Sequence, residues 1–224
     1  MTPEAALATL EGRADPDRAA QMAAYHKVER RYLGLPNGDL DSLVRDWRRA
    51  LSLDDRLTLA RALWDSDIHE GRIAAAKLLT QARIKEDAAV WALIASWVPQ
   101  FDAWAVADHA AIAGAKRLTA EPARLDEVEG WVASEHLWTR RAALVFTLPW
   151  TRLTHPKPEE LAQRDRILGW AAQMVPDQRW FTQKAIAWWL RDLSKRAPET
   201  TRAFLETHGE GLKPFARKEA ARHL

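Results

Sequence analysis

The residues that could do chemistry in this sequence carry oxygen, nitrogen or aromatic groups, because its 224 residues include no cysteine. Tryptophan is unusually common, with twelve residues against only two tyrosines. Trp104 and Asp108 stand four positions apart, so on a helix an indole and a carboxylate would share one face. The spacing alone is weak evidence, since it arises by chance in many helices and Asp108 could equally be a solvated surface acid.

The sequence argues against several classes of site. Without cysteine, the chain can form no disulfide, thiolate zinc site, iron–sulfur site or cysteine nucleophile. The seven histidines are scattered and form no His-x-x-x-His pair, and neither a Gly-rich phosphate loop nor a Gly-x-Ser-x-Gly elbow occurs. We therefore expect no metal and no cofactor, and any chemistry would rest on Trp, Asp and Arg.

Charge is balanced in total but uneven along the chain. The formal net charge is +2, from 33 Lys+Arg against 31 Asp+Glu. Residues 86–135 hold nine acidic against three basic side chains, whereas residues 179–224 hold ten basic against five acidic. The C-terminal fifth is therefore the candidate region for contact with a polyanion.

Neither membrane nor export signals are apparent. No apolar run approaches the ~20 residues that a membrane span requires. The N-terminus lacks the basic-then-apolar order of a signal peptide. A cytoplasmic protein without membrane contact is expected.

Helix signals occur almost everywhere along the chain, and strand alternation almost nowhere. Helix starts are predicted at Thr2 before Pro3, at Asp15 before Pro16, at Asp177 before the Trp180 run, and at Pro198 in the first turn of a late segment. Breaks rich in proline and glycine divide the chain into roughly a dozen helices of about 10 to 16 residues. These patterns predict an all-α fold in which residues 1–224 form a single domain.

Similar Ala-rich segments recur at intervals of roughly 34 to 43 residues. Each opens with a polar, mostly basic residue: they are 72–79, 109–118, 141–148, 184–190 and 218–224. The period suits an α-solenoid of two-helix repeats, curved so that its concave face is basic. Asp108, at the start of the second segment, would interrupt that basic row. The alternative is that Ala-rich helices simply resemble one another.

Six stretches carry a more specific pattern when they are taken together. They are Met22-Ala-Ala-Tyr25-His-Lys27 with Tyr32-Leu-Gly-Leu35, Leu63-Trp-Asp65, Trp104-x-x-x-Asp108, Trp138-Thr-Arg-Arg141-Ala-Ala143, Gln183-Lys-Ala-Ile-Ala-Trp188-x-Leu-Arg191, and Leu212-Lys-Pro-x-x-Arg217-Lys-Glu-Ala-Ala-Arg-His223. In this order they resemble the AlkD-type DNA alkylation repair glycosylases, all-helical proteins of HEAT-like repeats. The similarity covers nearly the whole chain.

The resemblance implies roles for particular residues. Asp108 matches the catalytic carboxylate, Trp104 and Trp188 the two active-site indoles, Arg141 a phosphate-contacting arginine, and Tyr25 an aromatic residue near the lesion. Further basic residues are expected to bind DNA: Arg140, Lys184, Arg191, Arg217 and Lys218.

The chain departs from the family pattern at one visible position. Ala103 stands before Trp104, where the family has a tandem Trp pair. The change puts in doubt a contact that would support the active site. The catalytic position itself is retained.

The resemblance also implies an activity. The protein would be a cofactor-free, monomeric DNA glycosylase of base excision repair, located with the nucleoid when bound to DNA. It would hydrolyse the N-glycosidic bond of cationic N3- or N7-alkylated purines in double-stranded DNA, without base flipping.

Other readings stay open at the level of the sequence. A non-catalytic binder of damaged or branched DNA is the main alternative, and a HEAT-type scaffold for protein interactions is another. Without the resemblance, Trp188 would be a core residue, Arg141 half of a surface ion pair, and Tyr25 a plain amphipathic-face residue.

Overall fold

The computed structural model describes all residues from 1 to 224 and contains thirteen α-helices. These are α1 (Pro3–Glu11), α2 (Pro16–His26), α3 (Asn37–Ala50), α4 (Leu53–Asp65), α5 (His69–Leu79), α6 (Ala88–Trp97), α7 (Trp104–Ala120), α8 (Leu125–Val132), α9 (Leu137–Val145), α10 (Pro158–Met174), α11 (Trp180–Ser194), α12 (Pro198–His208) and α13 (Pro214–Ala220). No strand forms, and one isolated bridge joins Arg31 to Ile68. The predicted all-α class is confirmed.

Most of the predicted helix starts are confirmed. The Thr2 hydroxyl accepts a hydrogen bond from the backbone N–H of Ala5, and the Asp15 carboxylate accepts two from the first turn of α2. Pro198 is the first residue of α12. The helix predicted after Asp177 is α11, which begins at Trp180. Its N-cap residue is Arg179 and not Asp177, whose carboxylate accepts hydrogen bonds from the backbone N–H and side chain of Arg179 and from Arg140.

The chain divides into two compact units, the N-terminal unit (Met1–Ala120) and the C-terminal unit (Glu121–Leu224). In the N-terminal unit, α4 pairs with α5, α6 pairs with α7, and α5 packs against both α3 and α7. The stacked indoles of Trp64 and Trp97, 4.3 Å between ring centroids, fill its core. A well-packed aromatic core of this kind fixes the helices on which the exposed residues stand.

A buried carboxylate fixes the loop between α2 and α3. Glu70, 1% exposed, accepts hydrogen bonds from the backbone N–H groups of Leu33, Gly34 and Leu35 at 2.9, 2.7 and 3.3 Å. Gly34 has φ +81°, and a Cβ there would lie 2.3 Å from the carbonyl oxygen of Asp15. Only glycine fits this position, so the loop can pack closely against the first turn of α2.

In the C-terminal unit, α8 pairs with α9, while α11 packs against both α9 and α13. The buried side chains of Phe146, Trp170 and Trp189 lie at its core. The Trp170 indole N–H donates to Glu129 at 2.8 Å, and Arg166 binds the same carboxylate. These contacts tie α10 to α8.

The predicted Ala-rich segments begin on α5, α7, α9, α11 and α13, although 141–148 and 218–224 extend past the ends of their helices. Successive helices of this set pack on each other within each unit. Small side chains allow this close packing, so the helical-repeat prediction is confirmed. Curvature, a basic concave face and a single domain over 1–224 stay predictions. None of the thirteen helices combines the length and hydropathy needed to cross a membrane.

Candidate functional site

The first turns of α7 carry the predicted indole and carboxylate. Trp104 is the first residue of α7 and Asp108 lies one turn later, so the two side chains share a face as the sequence predicted. Trp104 remains 37% exposed, and Asp108 is half-buried. A ring and a carboxylate that both reach solvent can contact a ligand.

Tyr25 stands beside Trp104, although the two residues belong to different helices. Their ring centroids are 6.2 Å apart with an interplanar angle of 85°, and Tyr25 is 70% exposed. The ring of His26 supports this pair from within, at 5.5 Å from Trp104 and 5.0 Å from Tyr25. The structure therefore brings together three predicted site residues, Tyr25, Trp104 and Asp108, in the N-terminal unit.

A buried aromatic layer lies beneath the exposed rings. His69 is 2% exposed, and its ring lies 4.6 Å from that of His26 and 4.8 Å from that of Tyr32. Burial lowers the pKa of His69 to about 3 and also lowers the pKa of His26. Near pH 7 these rings are neutral, so they add no positive charge behind Trp104. Sequence reasoning missed both histidines, because no local spacing links residues 26 and 69.

An ion-pair network fixes the segment that precedes α7. The Arg30 side chain, 1% exposed, lies between Asp67, at 3.2 Å, and Asp102. Arg72 binds Asp67 at 3.0 Å, and its guanidinium lies over the ring of Trp64. Arg72, which the repeat pattern placed in a basic row, is therefore held in ion pairs within the N-terminal unit.

In the C-terminal unit, one face of α11 carries residues spaced four apart. Lys184 is exposed and Trp188 is half-buried, whereas the neighbouring Trp189 is fully buried. Trp189 therefore occupies the core position, which leaves Trp188 able to contact a ligand. Trp180, one turn before Lys184, is 51% exposed; its ring lies 4.0 Å from that of Phe215. Sequence reasoning missed Trp180, although the four-residue spacing from Lys184 could have indicated it.

The two predicted arginines of α9 are less accessible than expected. Arg141 is 5% exposed, with its guanidinium 5.7 Å from the centroid of the Trp138 ring. Arg140 donates to Asp177 at 2.9 Å. Burial alone would raise the pKa of Asp177, but hydrogen bonds from Arg179 and Arg140 outweigh it and hold the pKa well below its usual value. Arg140 is therefore bound to a carboxylate that stays ionised.

The remaining predicted DNA-binding residues differ in their availability. Arg191 pairs with Glu219 and with Asp192, the latter at 3.3 Å. Arg217 and Lys218 on α13 are exposed and border a cavity of about 470 Å³. With Lys184, they are the predicted cations of the C-terminal unit that point to solvent.

Trp104 and Asp108 belong to the N-terminal unit, whereas Trp188 belongs to the C-terminal unit. Their convergence on one ligand stays a prediction, as does the role of each predicted DNA-binding residue.

The thirteen helices, with their successive packed members in each unit, define an all-helical repeat protein. The family described as "DNA alkylation repair enzyme" matches residues 6–224, and the chain belongs to that family. The resemblance found in the sequence is thereby confirmed, and with it a role in DNA repair. No curated protein matches the chain.

Solved structures share the fold at low sequence identity. A predicted DNA alkylation repair enzyme from Enterococcus faecalis is 22% identical, with a TM-score of 0.75 over 95% of this chain and 97% of that one. The smu.31 protein and AlkD2, both from Streptococcus mutans, are each 19% identical with TM-scores of 0.62. Each match covers 84% of this chain, together with 92% of smu.31 and 89% of AlkD2.

Proposed function

We propose that this protein is a monofunctional DNA glycosylase that hydrolyses the N-glycosidic bond of cationic N3- or N7-alkylated purines in duplex DNA. The observation that carries the proposal is the face of α7 on which Trp104 and Asp108 lie, beside the exposed ring of Tyr25. A carboxylate facing DNA is electrostatically unfavourable unless it acts on a positive centre, because the phosphates repel it.

The chemistry requires little acid catalysis. Alkylation at N3 or N7 gives the purine a positive charge, so the base leaves with the electron pair of the C1′–N9 bond and becomes neutral. Positive charge then develops on C1′ and the ring oxygen of the deoxyribose. Water adds to C1′ and loses a proton, which gives the free base and an abasic site.

In this proposal Asp108 acts on the sugar. Its carboxylate stabilises the oxocarbenium-like charge and orients the attacking water. No proton needs to reach the leaving base, so the carboxylate works in its ionised form. This requirement fits a half-buried side chain better than a fully buried one.

The indoles of Trp104 and Trp188 pack on the deoxyribose, where their electron-rich faces attract the developing cation. Each such contact contributes about 0.5–2 kcal/mol. Tyr25 extends the aromatic surface next to Trp104. Since these rings contact sugar rather than base, the alkylated base stays stacked, and bulky adducts would be tolerated.

The basic side chains hold the DNA backbone. Lys184, Arg217 and Lys218 are exposed and available for phosphates. Arg141 contacts phosphate near the lesion from its position beside the Trp138 ring. Arg140 and Arg191 keep their carboxylate partners and bind phosphate as members of those pairs.

Release of free base from methylated duplex DNA tests the proposal, with the wild-type protein and Asp108→Asn compared under single-turnover conditions. The substitution preserves shape but removes the charge, so we expect excision of 7-methylguanine to be abolished and DNA affinity to change by no more than a few-fold. Asp165→Asn, at an exposed acid of α10, is the matched control and should excise at the wild-type rate. Wild-type activity in Asp108→Asn would reject the role of the carboxylate. DNA binding without any base release by the wild type would instead favour the non-catalytic binder.

A further inference from the structure

A basic groove lies in the N-terminal unit, between the C-terminal end of α3 and the segment that follows α5. It has a volume of about 530 Å³ and is lined by Arg45, Arg48, Arg49, Thr80 and Gln81. None of these residues belongs to the candidate site, and none lies in the basic C-terminal region 179–224. Three guanidinium groups in one groove suit an anionic ligand.

The wall of the groove is held rigidly by other polar contacts. Arg48 donates to the carbonyl oxygen of Thr80 at 2.7 Å, and Arg56 donates to the side-chain oxygen of Gln81 at 2.7 Å. The fully buried Arg117 binds the backbone carbonyl of Gln81 from the other side. Because these side chains are already ordered, binding a ligand would cost the protein little conformational entropy.

The arginines of the groove lack strong partners within the protein. Arg45 is exposed and forms no ion pair, and Arg48 binds a carbonyl rather than a carboxylate. Arg49 meets Asp46 at 4.0 Å, with both side chains more than 70% exposed, and such pairs are worth little.

The positions of the arginines on α3 also reduce the stability of that helix. Arg45 and Arg49 stand four apart, where like charges destabilise a helix by roughly 0.2–0.5 kcal/mol. The helix dipole favours Arg48 and Arg49 in the last turn, but Arg45 lies a turn earlier.

The pKa of the neighbouring Arg56 also indicates a concentration of positive charge at this groove. Burial lowers the pKa of Arg56, and the positive charge of Arg48 lowers it further. The guanidinium groups therefore repel one another across this end of the unit. An anion that entered the groove would relieve this repulsion.

We propose that this groove is a second DNA-binding surface, in which Arg45 and Arg49 bind phosphates of the duplex backbone away from the excised base. The inference rests on the proposed function, since DNA is the polyanion for which the family is named. The groove offers guanidinium, hydroxyl and amide groups and no aromatic ring, so its contacts are with phosphate and are independent of sequence. These contacts would increase the DNA affinity of the N-terminal unit, which carries Asp108.

The test compares the double variant Arg45→Gln/Arg49→Gln with the control Arg13→Gln/Arg61→Gln, which removes two exposed arginines from the same unit. Binding of undamaged duplex DNA is measured by fluorescence anisotropy at several salt concentrations. Loss of two phosphate contacts should reduce the slope of log K against log salt by about 1.8 and weaken binding roughly 10- to 60-fold at 0.1 M salt. The control should keep the wild-type slope. Circular dichroism should show equal helicity in all three proteins.

Two results would overturn the inference: a groove variant with the wild-type slope, or an equal loss of slope in the control. Excision separates this inference from the proposed function. At saturating enzyme, the control variant Arg13→Gln/Arg61→Gln should release 7-methylguanine at the wild-type maximal rate, because Arg13 and Arg61 belong neither to the groove nor to the candidate site. If the wild type binds duplex DNA but releases no base, the proposed function fails. The salt slopes would then still show whether the groove binds DNA phosphates. A wild type that binds no duplex DNA would overturn both.

Discussion

The two units of the molecule hold their charged side chains in different ways. The N-terminal unit has 16 Lys+Arg against 17 Asp+Glu, and several of its arginines are buried in ion pairs, as Arg30, Arg72 and Arg117 show. The C-terminal unit has 17 against 14 and leaves Lys184, Arg217 and Lys218 exposed. Both units nevertheless present aromatic rings and cations to solvent: Tyr25 and Arg45 are exposed in the first, Trp180 and Lys184 in the second. The difference therefore lies in which cations are held in ion pairs, not in which unit carries them.

The largest expected effect concerns Trp188 and Trp189, the neighbouring indoles of α11. Comparing their alanine variants tests whether the C-terminal unit contributes to the proposed chemistry. Trp189→Ala should lower the free energy of unfolding by about 3–5 kcal/mol, because it empties a fully buried position. Trp188→Ala should leave stability nearly unchanged but slow base excision by about 1–2 kcal/mol. Urea denaturation and single-turnover excision measure the two quantities. If Trp188→Ala unfolds as readily as Trp189→Ala, then Trp188 is a core residue and the C-terminal unit only binds.

The second prediction places acid sensitivity in the N-terminal unit. The folded-state pKa of His69 is lowered to about 3 from 6.5, so its contribution to stability is complete above pH 6.5 and is lost as the pH falls toward 3. Between pH 6.5 and pH 5 the loss should be about 2 kcal/mol, at roughly 1.4 kcal/mol per pH unit. Because His69→Gln removes the titrating ring, its stability should fall less steeply over this range in urea denaturation. His155→Gln, at an exposed loop position, should keep the wild-type pH dependence. Equal slopes in all three proteins would mean that His69 does not titrate as its burial requires.

The smallest expected effect compares two cations of the C-terminal unit: Lys184, which is exposed and lies over the Trp180 ring, and Arg140, which is held in an ion pair with Asp177. Lys184→Gln should reduce the salt slope of DNA binding by about 0.9, the value for one phosphate. Arg140→Gln should change the slope less, since its guanidinium is bound to Asp177, but should destabilise the fold by about 1–3 kcal/mol. Anisotropy titrations and thermal unfolding measure the two effects. A larger slope change for Arg140 than for Lys184 would show that ion pairing does not predict which cations reach DNA.

Local pattern accounts for much of the fold and for part of the candidate site. Capping and proline positions predicted most helix starts, and the four-residue spacing predicted that Trp104 and Asp108 share a face of α7. The helix predicted after Asp177 forms, but Asp177 does not cap it. Its carboxylate binds Arg179 nearby and also Arg140, 37 residues away, a contact that no local pattern could indicate.

Long-range contacts account for what the sequence did not predict. Arg72 is paired because Asp67 and Asp102 reach it from two separate loops. The layer of His26 and His69 likewise depends on how helices pack. The contact of Tyr25 with Trp104 could be expected only through the family resemblance, since these residues lie far apart along the chain.

The loop at Leu33, Gly34 and Leu35 has one further consequence. Three backbone N–H groups directed at a common point form a concavity that would attract a phosphate in many proteins, and here Glu70 occupies it permanently. The loop therefore carries its own counter-ion and is preorganised before any ligand arrives. Through Gly34 and the hydrogen bond between Asp15 and Leu33, this preorganised loop also fixes the first turn of α2, the helix that ends at Tyr25 and His26.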